Sequence, residues 1–561
     1  MLIKVFKFAL ILMFYQTPLY SKSKTLNDFN LNHFSDYFSG IIAFENNDNT
    51  QALKFFKSSK FLIKKHNTYL KKYVYSLVLE NEVQEATNEI KKNLTKDNSK
   101  FFEAHLILAL GSLKERNFKK SKEYLEMSYR YIENDRIALI IAETLKQYLY
   151  VFEEKKISNV KNKYGNFSFI NEVFQRCYLD DKNTKVYFDK LVNLQNDTDY
   201  TRYIFFYLNY LVENGKYEEA KGISNNLDYF NSSLLISQGK KWIEDQKTEE
   251  FEKIFSCKDS TDIVGEFFFL VSNLYNTQEN YEKSNFYLNI SHYLNPKFIF
   301  NLSLLAENHY LNKDYSQTLK TLETFNKKDE FYYWFRLKKE AQIISKEQNE
   351  NKSLKFINLN FKKIKNPSIK IIFDIANINK NLKKYKDAIK YYDKIISKID
   401  INSQLYAEIL FRRGSSYERL GDYVSSDRDL LKSLEINPND AYVLNYLAYS
   451  WLEREYKIDI SLRMLEKAYV KQRNDPYIID SIGWAYYLVD DYVKAENFLK
   501  RAVELMPQDP IVNDHYGDIL WKLDRKIQAR YFWKNVLNLE ETNNEMKKNI
   551  INKLVDGLNN S

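Results

Sequence analysis

The stretch DSIGWAYYLVDDYVKAENFLKRAVELMPQDP, residues 480–510, reads as two amphipathic helices around a break near Asp490, yet Gly483 lies inside the first of them. A glycine in a helix interior costs about 1 kcal/mol against alanine, so something other than helix propensity holds it there. Gly517 follows Gly483 by 34 residues, and Ala529 follows Ala495 by the same 34. Upstream, Gly414, Tyr417, Ser426 and Pro438 precede Gly483, Tyr486, Ala495 and Pro507 by 69 each, with Ala448 filling the intermediate place. The chain therefore repeats every 34 residues, and one repeat carries a single-residue insertion.

Extended through the chain, this frame gives units beginning near His33, Asn67, Phe102, Thr201, Gly265, Ile299, Ile369, Ala407, Ala441, Pro476 and Pro510. In most units a small residue falls about eight places in, as at Gly40, Ala109, Ser272, Ala306, Ala376, Gly414 and Ala448. A second follows twelve or thirteen places later, as at Ala52, Ser121, Ser284, Thr318, Ala388, Ser426, Ser461 and Ala495. Two antiparallel helices pack closely where a side chain is nearly absent at their crossing, so Gly483 and Ala495 are expected to form that point of approach. The motifs LGDY (420–423), LVDDY (488–492) and ENGKY (213–217) break the first helix, and their tyrosine docks the second. Pro296, Pro438 and Pro507 end the second helix.

A chain of 561 residues exceeds the size at which a single core stops growing. Hydrophobic residues make up 44% and aromatics 16%, which provides ample material for burial. Only 12 Gly and 7 Pro argue against an all-β fold rich in tight turns and against Gly-rich nucleotide-binding folds. The net charge of +9 is small for this length, and acidic and basic residues alternate along the helices. They read as solvated faces rather than a nucleic-acid track, so no nucleic-acid partner is expected. Cys177 and Cys257 are the only cysteines and stand more than two repeats apart; because units of a solenoid touch mainly their neighbours, a disulfide between them is not expected. The N-terminus has Lys4 and Lys7, an apolar run from Phe8 to Tyr15, then Pro18 and Ser21, the layout of a secretory signal. Its rival reading is an uncleaved anchor giving membrane association through residues 1–21. No cysteine lies near residue 21, so a lipid-anchored mature N-terminus is not expected.

The period, the small-residue signposts and the terminal prolines resemble the tetratricopeptide repeat family, strongly over 407–543 and moderately over 33–135, 201–230 and 265–402. Residues 136–200, 231–264 and 333–368 show helical periodicity without the signposts and read as degenerate helix pairs. Thirty-five-residue RNA-reading repeats are the nearest confusable class, and the dominant spacing of 34 argues against them. The resemblance implies an all-α, right-handed superhelical solenoid of antiparallel helix pairs. The resulting division is a signal or anchor at 1–21, N-terminal repeats at 33–135, degenerate pairs with one clear repeat at 136–264, central repeats at 265–368, C-terminal repeats at 369–543 and a capping helix at 544–561. Within the last quarter, NYLAYSWLER (445–454), residues 477–510 and IVNDHYGDILW (511–521) look like the end of exported, envelope-associated proteobacterial members. Some members of that group hold a carboxyl-terminal processing protease and bring cell-wall hydrolases to it.

Repeat arrays bind along the face built by the first helix of each unit. Places two, five, nine and twelve of the frame are expected to face that groove: Tyr442, Asn445, Tyr449, Tyr477, Asp480, Trp484, Tyr487, Asp514, Asp518 and Trp521. Such an aromatic and acidic groove suits an extended or helical peptide. The alternative for each ring is packing against the next unit's helix, and for the aspartates ordinary surface or helix-start charge. No HExxH, CxxC, GxSxG or P-loop pattern is present, and the six histidines are scattered. His515 between Asp514 and Asp518 is a poor metal or acid–base set, so neither catalysis nor a cofactor is expected. The expected function is that of a non-enzymatic scaffold in the cell envelope that binds proteins or peptides. An inner-membrane-anchored assembly factor is the alternative, with a glycan-binding module as a weaker third reading.

Overall fold

The computed structural model describes residues 31–558 apart from 67, 95–96, 133–134, 159–163, 195–200, 228–229 and 231. The signal or anchor expected at 1–21 and the unit start at Asn67 lie outside the described residues. Among the described residues there are 30 α-helices and no strand. None of these helices is long and apolar enough to cross a membrane.

One repeat shows how the sequence makes its helix pair. The Asp475 carboxylate accepts from the backbone N–H groups of Tyr477 and Ile478, and Pro476 occupies the first turn, so Pro476–Leu488 starts where a capping oxygen and a pre-set φ coincide. Asp490 then takes a left-handed φ of 59°, and Asp491 caps the second helix, Tyr492–Leu505, by accepting from Lys494 N. That helix stops two residues before Pro507, which cannot continue it. A left-handed residue followed by a capping Asn or Asp recurs at Arg116–Asn117, Glu279–Asn280, Lys313–Asp314 and Gly421–Asp422. The aromatic residue after each of these breaks opens the second helix; Tyr217 and Tyr492 pack against the core, whereas Tyr423 is 41% exposed.

The small residues of the frame are buried. Ala52, Ser121, Ser284, Thr318, Ala388, Ser426, Ser461, Ala495 and Ala529 are each at most 2% exposed. A Cβ on Gly483 would stand 2.7 Å from Leu499 Cγ and 3.1 Å from Leu499 N. The close approach is therefore to Leu499, one turn beyond the anticipated Ala495. A helical side chain leans toward the N-terminus of its helix, so the residue covering a given spot lies C-terminal to it. Gly414 receives Leu430 and Gly517 receives Trp533 in the same way.

The chain divides into two compact units, Met1–Ile343 and Ile344–Ser561. The first has a continuous core running from Tyr37 to Tyr332. Its repeats do not touch only their neighbours. Tyr281–Leu294 packs against Tyr69–Leu79: the rings of Phe286 and Tyr75 lie 4.6 Å apart, and buried Asn289 donates from Nδ2 to the carbonyls of Val78 and Leu79 at 2.9 Å. The expectation of unpaired cysteines fails for the same reason. Cys177 and Cys257 form a disulfide with Cα atoms 5.6 Å apart. Five short helices, Thr184–Val192, Arg202–Glu213, Tyr217–Asn225, Leu234–Glu244 and Glu249–Ile254, lie between them in the chain, and Phe255 ends among Phe174, Phe206 and Phe298.

The second unit is the more regular. After Glu350–Phe361 come five pairs: Ile369–Asn381 with Tyr385–Ile396, Gln404–Glu418 with Tyr423–Ile436, Ala441–Leu452 with Ile458–Lys471, Pro476–Leu488 with Tyr492–Leu505, and Pro510–Lys522 with Lys526–Val536. The inserted residue of the frame falls in the turn between Leu452 and Ile458, where Glu455 and Lys457 both have left-handed φ. Asn544–Asp556 follows at the place where another first helix would begin, and its Ile550 is fully buried.

Candidate partner-binding surface

The ten residues expected to line a groove separate into two sets. Tyr442 and Tyr477, in the first turns of their helices, are 53% and 61% exposed, and Ile511 at the corresponding place is 47% exposed. They form a row of apolar side chains in solvent, one per repeat. Ile511 was not singled out from the sequence, although the 34-residue frame carried the signal.

The residues at places five, nine and twelve meet the neighbouring first helix. The carboxylate of Asp480, 5% exposed, lies 3.0 Å from His515 Nδ1 of the next repeat. The indole of Trp484 stacks on His515 at 4.2 Å and on Tyr487 at 4.6 Å. Burial opposes charge on His515, but the Asp480 carboxylate outweighs it and the imidazole titrates above its usual value. Asn445 and Tyr449 are half-buried, and burial, followed by Glu453, raises the Tyr449 hydroxyl.

Asp514, Asp518 and Trp521 are engaged by the chain's own C-terminal helix. Lys553 Nζ donates to Asp514 at 2.6 Å and to both oxygens of Asp518 at 2.8 Å. Trp533 Nε1 donates to Asp518 at 2.9 Å. Burial and then Asp514 push Asp518 up to about 6, against the pull of Lys553. Trp521 packs on Trp533 at 5.3 Å and lies against Gly557. His515 is thus a packed core residue paired with Asp480. Among the described residues no group of three or more His, Cys, Asp or Glu is arranged to hold a metal ion.

What remains open in the second unit is the row Tyr442, Tyr477 and Ile511, flanked by the accessible edges of Tyr449, Trp484 and Tyr487. In the first unit two residues at the corresponding place, Arg202 and Glu266, pair with each other. Arg202 makes a two-pronged pair with Glu266, at 2.7 and 2.8 Å, and its guanidinium lies 3.7 Å from the Phe269 ring. A cleft of about 490 Å³ remains where the early and late repeats of that unit meet, lined by Asn49, Glu80, Glu282, His309 and Asp314 among others. Its polar groups largely serve one another: Glu80 accepts from Asn49 and Thr50, and Asp314 caps a helix.

A family model described as tetratricopeptide repeat matches residues 369–397 and 407–440. A TPR repeat-containing protein of Pseudomonas aeruginosa is 29% identical over 110 residues, which are 20% of this chain and 18% of that protein. Anaphase-promoting complex subunit 3 of Schizosaccharomyces pombe is 23% identical over 132 residues, 24% of this chain and 18% of that protein. The chain thus spans 18% of the length of each of these relatives. Among solved structures, a tetratricopeptide repeat protein from Parabacteroides merdae is 16% identical with a TM-score of 0.37, covering 46% of this chain and 99% of its own. MamA from Desulfovibrio magneticus is 21% identical with a TM-score of 0.27, covering 31% of this chain and 97% of its own.

Proposed function

We propose that this chain, whose residues 369–397 and 407–440 match the tetratricopeptide repeat model, is a non-catalytic scaffold of the bacterial cell envelope that holds protein or peptide partners on its C-terminal repeats. The observation that carries this reading is the exposed row Tyr442, Tyr477 and Ile511 beside the partly open rings of Tyr449, Trp484 and Tyr487. Rigid aromatic side chains supply contact area at low entropic cost, which is what a peptide-binding face requires. Two features support the envelope setting. Residues 1–21 have the charge-then-apolar order of an export signal, and the disulfide is of a kind that persists in oxidising compartments. By its C-terminal resemblance, the partner class is an envelope protease or a cell-wall hydrolase.

The test is cross-linking and co-purification from envelope extracts with the full chain and with the double variant Tyr442→Ser, Tyr477→Ser. Both positions are exposed, so the variant keeps the fold. Loss of the co-purifying protein from the variant supports the reading; a partner retained at the wild-type level removes this face from it. Sequencing the mature N-terminus separates the exported scaffold, cleaved near Ser21, from an anchored assembly factor that keeps residues 1–21.

A further inference from the structure

The disulfide sits at a junction rather than at a chain end. Cys177 lies in the last turn of Asn166–Tyr178 and Cys257 in the short connection between Glu249–Ile254 and Ser260–Asn276. That connection is a meeting point for distant parts of the first unit. Asn209 Nδ2 donates to Phe255 O at 3.0 Å, Asn295 Nδ2 donates to Ile254 O at 2.9 Å, and Ser256 N donates to Asp262 at 2.9 Å. The Phe255 ring fits between Phe174, Phe206 and Phe298.

The described helices between the two cysteines bury Phe188, Phe205, Phe206 and Phe251 in the core of the first unit, but each is short. They contain 9, 12, 9, 11 and 6 residues, at or below the length at which isolated helices are marginal. Four lack a side-chain cap, Leu234–Glu244 being the exception. The pair directly downstream, Ser260–Asn276 and Tyr281–Leu294, is much longer and includes the helix that closes the first unit onto Tyr69–Leu79. The disulfide therefore bridges an excursion of short, mostly uncapped helices, from the end of Asn166–Tyr178 to the connection that precedes Ser260–Asn276.

We propose that the Cys177–Cys257 bond is a redox-dependent latch on the helices between Thr184 and Ile254, which keep their packing only in the oxidised chain. Opening it is a two-electron step. A dithiol reductant is oxidised to its own disulfide, the Sγ–Sγ bond breaks, and two protons complete the thiols of Cys177 and Cys257. Because both side chains are at most 3% exposed, attack requires a local opening. The latch therefore resists reductant while the fold is closed and stays open once reduced and alkylated. Disulfides that close long loops remove the most freedom from the open chain, and this one spans 80 residues.

The experiment is limited trypsin digestion of the full chain, mapped by mass spectrometry, in three forms: oxidised, reduced with dithiothreitol and alkylated, and the double variant Cys177→Ser, Cys257→Ser. The latch predicts that cleavage between 178 and 256 becomes at least ~10-fold faster in the reduced and variant forms, while cleavage between 407 and 543 keeps its rate. Equal rates in the oxidised and reduced forms overturn the proposal. Acceleration spread evenly over 31–135 as well overturns it, since the bond then supports the whole unit rather than one excursion. If the double variant does not fold, reduction of the already folded wild-type chain decides between these outcomes.

Discussion

Gly483 and Gly222 both lie inside helices, yet their surroundings are opposite. A methyl group on Gly483 meets Leu499 at 2.7 Å, whereas nothing stands within 4 Å of one on Gly222. Gly483→Ala gains about 1 kcal/mol of helix propensity but overpacks a filled socket, at a cost of about 1–3 kcal/mol; the second unit is expected to lose stability. Gly222→Ala is expected to gain about 0.5–1 kcal/mol. Chemical denaturation of the two variants checks both signs. His515 makes a pH prediction. Its folded value is raised above the ordinary 6.5 by Asp480, with Asp514 and Asp518 adding in the same direction against burial. Its contribution to stability is fully present below about 6.5 and is lost as pH rises through the higher folded value. The melting temperature should fall as pH rises above about 6.5, and Asp480→Asn should flatten that slope; an equal slope in the variant would refute the assignment. The sequence made the small residues legible because their spacing has no other physical source. It did not reveal that Asp480 and His515 pair, since a carboxylate at that place serves equally as surface charge.

At the level of elements, the helix Asn544–Asp556 continues the array past Lys526–Val536. It buries Ile550 and brings Lys553 to two carboxylates, while its outer side carries Lys548, Asn552 and Asp556 together with exposed Ile551 and Val555. Deleting 544–561 leaves Asp518 buried without its cation and uncovers Trp521, so the melting temperature of the second unit should drop. Lys553→Ala should account for a large part of that loss. Its cost should fall somewhat below the ~3–5 kcal/mol of a fully buried pair, because Lys553 keeps 21% side-chain exposure. An unchanged melt for either form would show that the helix is only an appendage. The existence of this helix was readable from its periodicity, and so were the breaks at LGDY and LVDDY. Which faces of the first helices stay open was not, because a ring in a groove and a ring against the next helix occupy the same heptad-like places.

At the level of the whole molecule, each unit has its own core. A fragment of residues 349–561 begins at Asn349, whose side chain caps Glu350–Phe361 by accepting from Lys352 N, and it is expected to melt cooperatively with a helical circular-dichroism spectrum. A fragment without a cooperative transition would refute that independence. The second unit was legible because its contacts are local and periodic. The closure of the first unit was not, because it rests on pairs such as Asn289 and Val78, 211 residues apart, which no local pattern announces. The disulfide escaped the sequence reading for the same topological reason. One recurring feature reaches further. The turns between paired helices place Arg116, Glu279, Lys313 and Asp490 in the left-handed region, at about 1 kcal/mol or more each, where Gly215 and Gly421 meet no such penalty. Each turn is therefore a separate dial: one codon change to or from glycine stiffens or softens a single repeat, at the expense only of the contacts made by the turn side chain itself, such as Arg116 with Asp259 and Asp490 with Tyr492.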